Sequence, residues 1–96
     1  MIRHSVIFKF NDAIGSDERR AFFLAAHALA AIEGVQQFEI LKQTSQKNGY
    51  DYGITMKFDN TEQYRHYNNH PAHTHFLQVY WLSMVKDFLE IDFEPL

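Results

Sequence analysis

The alternation of apolar and polar residues between Tyr50 and Phe58 constrains the fold of this chain most strongly. The apolar positions are Tyr52, Ile54, Met56 and Phe58, and the polar or small positions are Asp51, Gly53, Thr55 and Lys57. Successive side chains of a β-strand point to opposite faces of a sheet, so the segment predicts a strand with one buried face. Val35 to Leu41 is predicted to be its hairpin partner, because Asn48-Gly49 between the two segments is a turn signal.

Two further strands are predicted at the ends of the chain. In the first, from Ile2 to Phe10, the residues Ile2, His4, Val6, Phe8 and Phe10 share one face. A histidine therefore lies among core residues, and Ile7 indicates that the opposite face is also partly covered. In the second, from Phe88 to Phe93, the residues Leu89, Ile91 and Phe93 alternate with Glu90, Asp92 and Glu94.

A first helix is predicted between the N-terminal strand and the hairpin. Ser16 is expected to cap it, and Asp17 and Glu18 in its first turn interact favourably with the helix dipole. The helix runs to about Ile32 and stops at Gly34, since glycine is favoured just after a helix. Phe22, Ala25, Ala26, Leu29 and Ile32 recur at helical spacing, so one stripe of this helix is expected to face the sheet.

A helix pair is predicted between the hairpin and the last strand. Asn60 is expected to cap the first of the two, with Gln63 placed to reach back toward it. This helix ends near His70, because the residue before a proline avoids helical geometry. Pro71 suits the first turn of the next helix, which runs from about Ala72 to Leu82.

The order strand, helix, strand, strand, helix pair, strand predicts an α+β domain of the ferredoxin-like, split βαβ type. Its four-stranded antiparallel sheet carries helices on one face only. A chain of 96 residues is enough for one domain, so residues 1–96 are expected to form a single domain. The other sheet face, where Ile7 and Leu41 lie, would stay exposed unless a second copy covered it, which predicts a homodimer through the sheet faces.

Composition excludes several classes of partner and chemistry. The formal net charge is −3 and no cluster of Lys and Arg is present, which argues against a nucleic-acid partner. The chain has no cysteine, so a disulfide, a thiol nucleophile and a Cys-ligated metal are excluded. No apolar stretch approaches the length of a membrane span or a signal peptide, so we expect a cytoplasmic protein with no membrane partner.

The segment HYNNHPAH, from His66 to His73, and the nearby His75 hold four of the six histidines. We expect no metal there, because Pro71 redirects the chain between His70 and His73 and no carboxylate lies within the cluster. His70 is expected to cap the helix that follows it. His66 and His75 are expected to face solvent, and His27, the isolated histidine of the first helix, to lie on the flank of that helix.

Tyr67 and His73 suggest acid-base chemistry. His73 lies in the first turn of a helix, where the dipole disfavours the imidazolium and keeps a neutral base available. Tyr67 could donate a hydrogen bond to a carbonyl oxygen on which negative charge develops after that base removes a proton from carbon. The alternative is structural: Tyr67 bonds His73 or a backbone carbonyl and fastens the helix junction.

Five segments of the chain together resemble the stress-responsive α/β-barrel family, abbreviated Dabb. They are HSVIFKF, IEGVQQFE, YDYGITMKF, YNNHPAHTHF and DFLEIDFEP, and they span nearly the whole sequence. The most specific element is the His-Pro-x-His motif, His70 to His73, preceded at three residues by Tyr67. The resemblance implies a ferredoxin-like protomer whose sheets pair face to face into a dimeric α/β barrel.

Many members of this family are stress-linked or uncharacterised, and one is a polyketide cyclase that closes a ring by intramolecular aldol condensation without metal or cofactor. The resemblance therefore implies Tyr67 and His73 as the catalytic pair, no cofactor, and a small hydrophobic or carbonyl-containing ligand. It places a pocket between helices and sheet, with His4, Phe22, Phe23, His70 and Phe76 as ligand-binding candidates. Two alternatives stay open: a non-catalytic ligand-binding or stress-protective dimer, and a cofactor-free monooxygenase with Trp81 and His73 lining one site.

Overall fold

The computed structural model describes residues 1–96 and has the predicted α+β, ferredoxin-like architecture. Its elements are β1 (Ile2–Phe10), α1 (Ser16–Ala28), β2 (Gln36–Lys42), β3 (Tyr52–Phe58), α2 (Thr61–Asn69), α3 (Pro71–Phe76) and β4 (Val85–Phe93). A 3-10 turn, Leu29–Ala31, extends α1, and a π-helical segment, Leu77–Trp81, with one α-helical turn, Leu82–Met84, extends α3. The strands are ordered β2-β3-β1-β4 and every neighbouring pair is antiparallel.

The helix starts follow from local capping. Asn60 caps α2 as predicted, with its side chain accepting from the backbone N–H of Gln63 at 2.9 Å. His70 caps α3 as predicted, since its Nδ1 accepts from the backbone N–H of Ala72 at 3.0 Å. For α1 the cap is Gly15 and not Ser16, because the Glu18 side chain reaches back to the backbone N–H of Gly15 at 3.2 Å.

Gly34 ends the helical region as predicted, and its backbone explains why. Its φ of 96° lies in the left-handed region, which side-chain-bearing residues avoid. The side chain of Gln63 occupies the space that a Cβ at this position would need. The glycine therefore turns the chain from α1 into β2 and also lets α2 pack closely against that turn.

The helices cover one face of the sheet and form the core with it. β1 is buried at every second residue, at His4, Val6, Phe8 and Phe10, which confirms the predicted alternation. β3 contributes Ile54, Met56 and Phe58 to the same face. Phe8, Phe22 of α1 and Phe58 are the largest fully buried side chains, and the rings of Phe8 and Phe22 pack against each other. No helix is long and apolar enough to cross a membrane.

The opposite face of the sheet has no layer over it, and we call it the open face. Ile7 lies there between Gly53 of β3 and Leu89 of β4, and Leu41 of β2 follows in the same row. Leu41 and Leu89 are 44% and 47% exposed, as the one-sided helix layer requires. Ile91 and Phe93 continue the apolar surface along β4, which begins at Val85 and not at the predicted Phe88.

Because β4 alternates, Glu90 and Asp92 lie on the helix-covered side. Glu90 is paired with Val6 and Asp92 with His4, and directly opposed residues of antiparallel strands point to the same face. The sequence predicted this alternation but left open which set of side chains would face the helices.

Candidate functional site

A cavity of about 410 Å³ opens between the helix-covered face of the sheet and the helical segment after Pro71. Most of its wall is apolar, including Val6, Ile54, Met56, Phe76 and Trp81. The polar groups in the wall are His4, Tyr67, His73, Thr74, Gln78 and Glu90. An apolar cavity of this size with a few convergent polar groups is typical of small-molecule sites in proteins.

Tyr67 and His73 contact each other in this wall from opposite sides of the helix junction. Their ring centroids are 4.5 Å apart, with the planes inclined by 43°. Tyr67 is only 3% exposed, and burial is the main reason that its pKa is raised, with the charge of Glu90 adding to the effect. Tyr67 is therefore protonated at neutral pH and can donate a hydrogen bond into the cavity.

His73 is held as a neutral base by its surroundings. Its Nδ1 lies 3.2 Å from the backbone carbonyl oxygen of Asn68. A carbonyl oxygen only accepts, so Nδ1 carries the proton and Nε2 keeps its lone pair. Burial lowers the pKa of His73 and the nearby His4 adds to this, while the Asn68 bond and Glu90 oppose it. Burial, and not the helix dipole invoked from the sequence, is thus the principal cause.

The structural alternative for Tyr67 does not describe this geometry. The Tyr67 hydroxyl bonds neither His73 nor a backbone carbonyl, and the two side chains meet only as packed rings. The junction is instead fastened by His73 on the Asn68 carbonyl and by the His70 cap.

A second polar network, absent from the sequence predictions, lies behind His4. The Nδ1 atom of His4 is 2.6 Å from Asp92 Oδ1, and it is also 2.8 Å from the Tyr64 hydroxyl. Tyr64 donates to the other carboxylate oxygen of Asp92 at 2.9 Å, and partial burial together with Asp92 raises the pKa of Tyr64. Asp92 thus orients the His4 ring, whose other side forms part of the cavity wall.

The comparisons with known proteins agree with this fold. The profile of the Stress Responsive A/B Barrel Domain, Dabb, matches residues 2–95. The chain belongs to the Dabb family. A Dabb family protein with a ferredoxin-like fold from Mesorhizobium loti is 43% identical to it and superimposes with a TM-score of 0.93 over 99% of this chain and 96% of that one.

Two other relatives bear on assembly and chemistry. A dimeric ferredoxin-like protein of unknown function from Thermobifida fusca is 25% identical, with a TM-score of 0.83 over 98% of this Dabb chain and 90% of its own. Olivetolic acid cyclase from Cannabis sativa is 26% identical over 98% of this chain and 96% of its own length. The proteins similar to this chain thus include one named as a cyclase and one described as dimeric.

The ligand-binding candidates of this Dabb chain separate into two groups. His4 and Phe76 line the cavity together with Tyr67 and His73. Phe22, Phe23 and His70 do not, which corrects their expected position. Phe22 is enclosed by core aromatic rings, because α1 directs it toward Phe8 and Phe10.

Phe23 and His70 point away from the cavity for different reasons. Phe23 packs at the other end of the sheet, against Phe10 and Tyr52. His70 turns outward to cap α3, and its ring lies 5.6 Å from that of His66. His27, His66 and His75 are exposed, as predicted. No three His, Asp or Glu side chains are grouped as metal ligands.

Trp81 and Glu90 complete the site. Trp81 lines the same cavity as His73, as the monooxygenase alternative assumes. Glu90 was not singled out from the sequence, although its place in the alternation of β4 was visible. Its role in the cavity depends on the pairing of β4 with β1, which brings Glu90 opposite Val6.

Proposed function

We propose that this Dabb protein binds a small apolar carbonyl compound in the cavity and catalyses a cofactor-free aldol ring closure. The observation that carries the proposal is the contact of a neutral histidine and a protonated tyrosine in the wall of one apolar cavity. The similarity to a protein named olivetolic acid cyclase supports the same class of chemistry.

In the proposed mechanism, Nε2 of His73 removes a proton from the carbon next to a carbonyl group. The electron pair of that C–H bond forms an enolate, and the Tyr67 hydroxyl donates a hydrogen bond to its oxygen. The enolate carbon then attacks a second carbonyl carbon of the same molecule and forms the new C–C bond. The alkoxide produced takes the proton back from the His73 imidazolium, so the protein ends unchanged.

The electrostatics of the site favour both steps. Burial keeps His73 neutral before the reaction, and the Asn68 carbonyl keeps its proton on Nδ1. The negative charge of Glu90 favours the imidazolium that forms during proton removal. Most of the surrounding wall is apolar, which strengthens the hydrogen bond from Tyr67 to the developing charge.

The direct test is turnover of a linear β-polyketone by the purified protein and by two variants. His73→Ala is expected to lower kcat/KM about 10²- to 10⁴-fold through loss of the general base. Tyr67→Phe is expected to lower it about 10²- to 10³-fold, the usual effect of one lost oxyanion donor. His66→Ala is the matched control, because His66 is an exposed histidine of the same helix junction, and it should retain full activity.

The two alternatives predict different results. A non-catalytic ligand-binding dimer would show no turnover in any variant, although Trp81, the only tryptophan, would still report ligand binding by fluorescence. A cofactor-free monooxygenase would consume oxygen with an electron-rich quinol, and the position of Trp81 beside His73 in the wall makes that assay worthwhile. Oxygen uptake that depends on His73 would replace the cyclase proposal.

We further propose that two copies pair through their open faces into the dimeric barrel. The support is the uncovered apolar surface around Ile7, Leu41 and Leu89, together with the dimeric relative from Thermobifida fusca. Burying such a surface is favourable, whereas a monomer would leave it in water. Sedimentation equilibrium tests the pairing, with the mass of two chains as the expected result.

A further inference from the structure

The distribution of charge in the cavity wall restricts what the cavity can bind. No lysine or arginine lines it. His73 is held neutral, Tyr67 is protonated, and His4 is hydrogen-bonded to the carboxylate of Asp92. Glu90 is therefore the only carboxylate in the wall, and no lysine or arginine there balances its charge.

The position of Glu90 is set by the sheet. Its pairing with Val6 places it on the helix-covered side of β4, two residues from Phe88, which also lines the cavity. Glu90 is exposed on one side, so water supports its charge. The other side borders the mostly apolar wall of the cavity.

We propose that Glu90 makes this cavity selective for uncharged or cationic carbonyl compounds and excludes those that carry a carboxylate or phosphate. The inference deepens the proposed function and rests on it only in taking the same cavity as the ligand site. An anionic group in the cavity would meet the Glu90 carboxylate, and no lysine or arginine in the wall would offset the repulsion. A hydroxyl or ammonium group would instead donate a hydrogen bond to the Glu90 carboxylate.

Three saturated probes of equal chain length test this selectivity: nonan-2-one, nonylammonium and nonanoate. Binding is followed by the fluorescence of Trp81 in the cavity wall. For the unmodified protein we expect nonanoate to bind at least about tenfold more weakly than the ketone, as charge repulsion over several ångströms in a partly buried site implies. Nonylammonium should bind at least as tightly as the ketone.

Two variants assign the effect to Glu90. Glu90→Gln should bind nonanoate several-fold more tightly and nonylammonium several-fold more weakly, each relative to the ketone. Glu94→Gln is the matched control, because Glu94 is an exposed carboxylate that follows β4 and does not line the cavity. It should retain the selectivity of the unmodified protein.

Several results would overturn the proposal. The first is that nonanoate binds as tightly as the ketone, and the second is that no probe binds. The third is that Glu90→Gln leaves the selectivity unchanged, and the fourth is that Glu94→Gln changes the selectivity as much as Glu90→Gln does. The probes have at most one carbonyl group and cannot close a ring, so these measurements do not depend on catalysis. If His73→Ala retains turnover, the proposed chemistry is wrong. The role of Glu90 would still stand in that case, provided that the probe selectivity is observed.

Discussion

Both faces of the sheet carry apolar residues, yet these residues have different surroundings. On the helix-covered face Phe8 is fully buried, whereas Leu89, one row away on the open face, is 47% exposed. A sheet covered on one side normally places polar residues on the other. The comparison teaches that this protein uses both faces: one for its own core and cavity, the other for the proposed pairing with a second copy.

β4 contributes residues both to the cavity and to the open face. Leu89, Ile91 and Phe93 point to the open face, whereas Glu90 and Asp92 point to the helix-covered face. This arrangement would be costly in a closed core, because buried carboxylates need partners. It is tolerated here because Asp92 is bonded by His4 and Tyr64, while Glu90 borders an open cavity.

The largest expected effect comes from a charge on the open face. Leu89→Asp would bury an unpaired carboxylate beside Ile7 in the paired sheets, which costs several kcal/mol. We expect sedimentation equilibrium to give the mass of one chain for this variant. Leu24→Asp is the control, since Leu24 is a 68% exposed leucine on α1, away from the sheet. A Leu89→Asp variant that stays dimeric would show that the open face is not the interface.

The next effect distinguishes the two faces by stability. Phe8→Ala removes a fully buried ring and should lower the free energy of unfolding by about 3–5 kcal/mol in urea denaturation. Phe93→Ala, on the open face, is the matched truncation, because Phe93 is 56% exposed. Both are best measured in the Leu89→Asp background, where Phe93→Ala should cost less than about 1 kcal/mol. Equal losses would contradict the distinction between the faces.

A smaller effect is expected from the network behind the cavity. Tyr64→Phe removes the hydroxyl that bonds Asp92 and contacts His4, and it should lower the free energy of unfolding by about 0.5–1.5 kcal/mol. Tyr80→Phe is the control, because Tyr80 packs on Phe76 through its ring alone. Denaturant unfolding of the two variants gives the difference. If Tyr64→Phe left the free energy of unfolding unchanged, water would have replaced the hydroxyl without loss of stability.

The finest effect concerns pH. The pKa of His73 is lowered by burial, so the neutral base persists below the ordinary value and kcat/KM should fall only at more acidic pH. Glu90 raises the pKa of His73, so in Glu90→Gln the acidic fall of kcat/KM should occur at a still lower pH. Glu94→Gln should leave it in place. If kcat/KM of Glu90→Gln began to fall at a higher pH than that of the unmodified protein, Glu90 would not be the group that raises the pKa of His73.

The same shift has a stability consequence with a defined sign. The unfolded chain takes up a proton on His73 at a higher pH than the folded chain does. The stabilisation from neutral His73 is therefore fully present above the ordinary pKa and is lost as pH falls from there to the lowered pKa. His73→Ala should remove this part of the pH dependence, which urea unfolding at a series of pH values measures.

Local sequence patterns were enough to predict much of this protein. The alternation in β1 and β3, the Asn60 and His70 caps and the stop at Gly34 depend on neighbours within a few residues. The closeness of Tyr67 and His73 is also a local feature. The two residues are six positions apart across one helix junction, so the backbone leaves little freedom in the distance between them. Such features are decided by backbone geometry and short-range hydrogen bonds.

Tertiary structure alone decided which residues entered the cavity. Asp92 meets His4 across the whole length of the chain, and that contact depends on the register of β4 against β1. A shift of one residue would have turned Glu90 and Asp92 to the open face and Leu89 toward the helices. Phe22 and Phe23 likewise became core residues through the angle at which α1 packs on the sheet. The sequence by itself determined the elements and the Tyr67–His73 pair, whereas strand register and helix packing, which sum many long-range contacts, determined the charge and shape of the site.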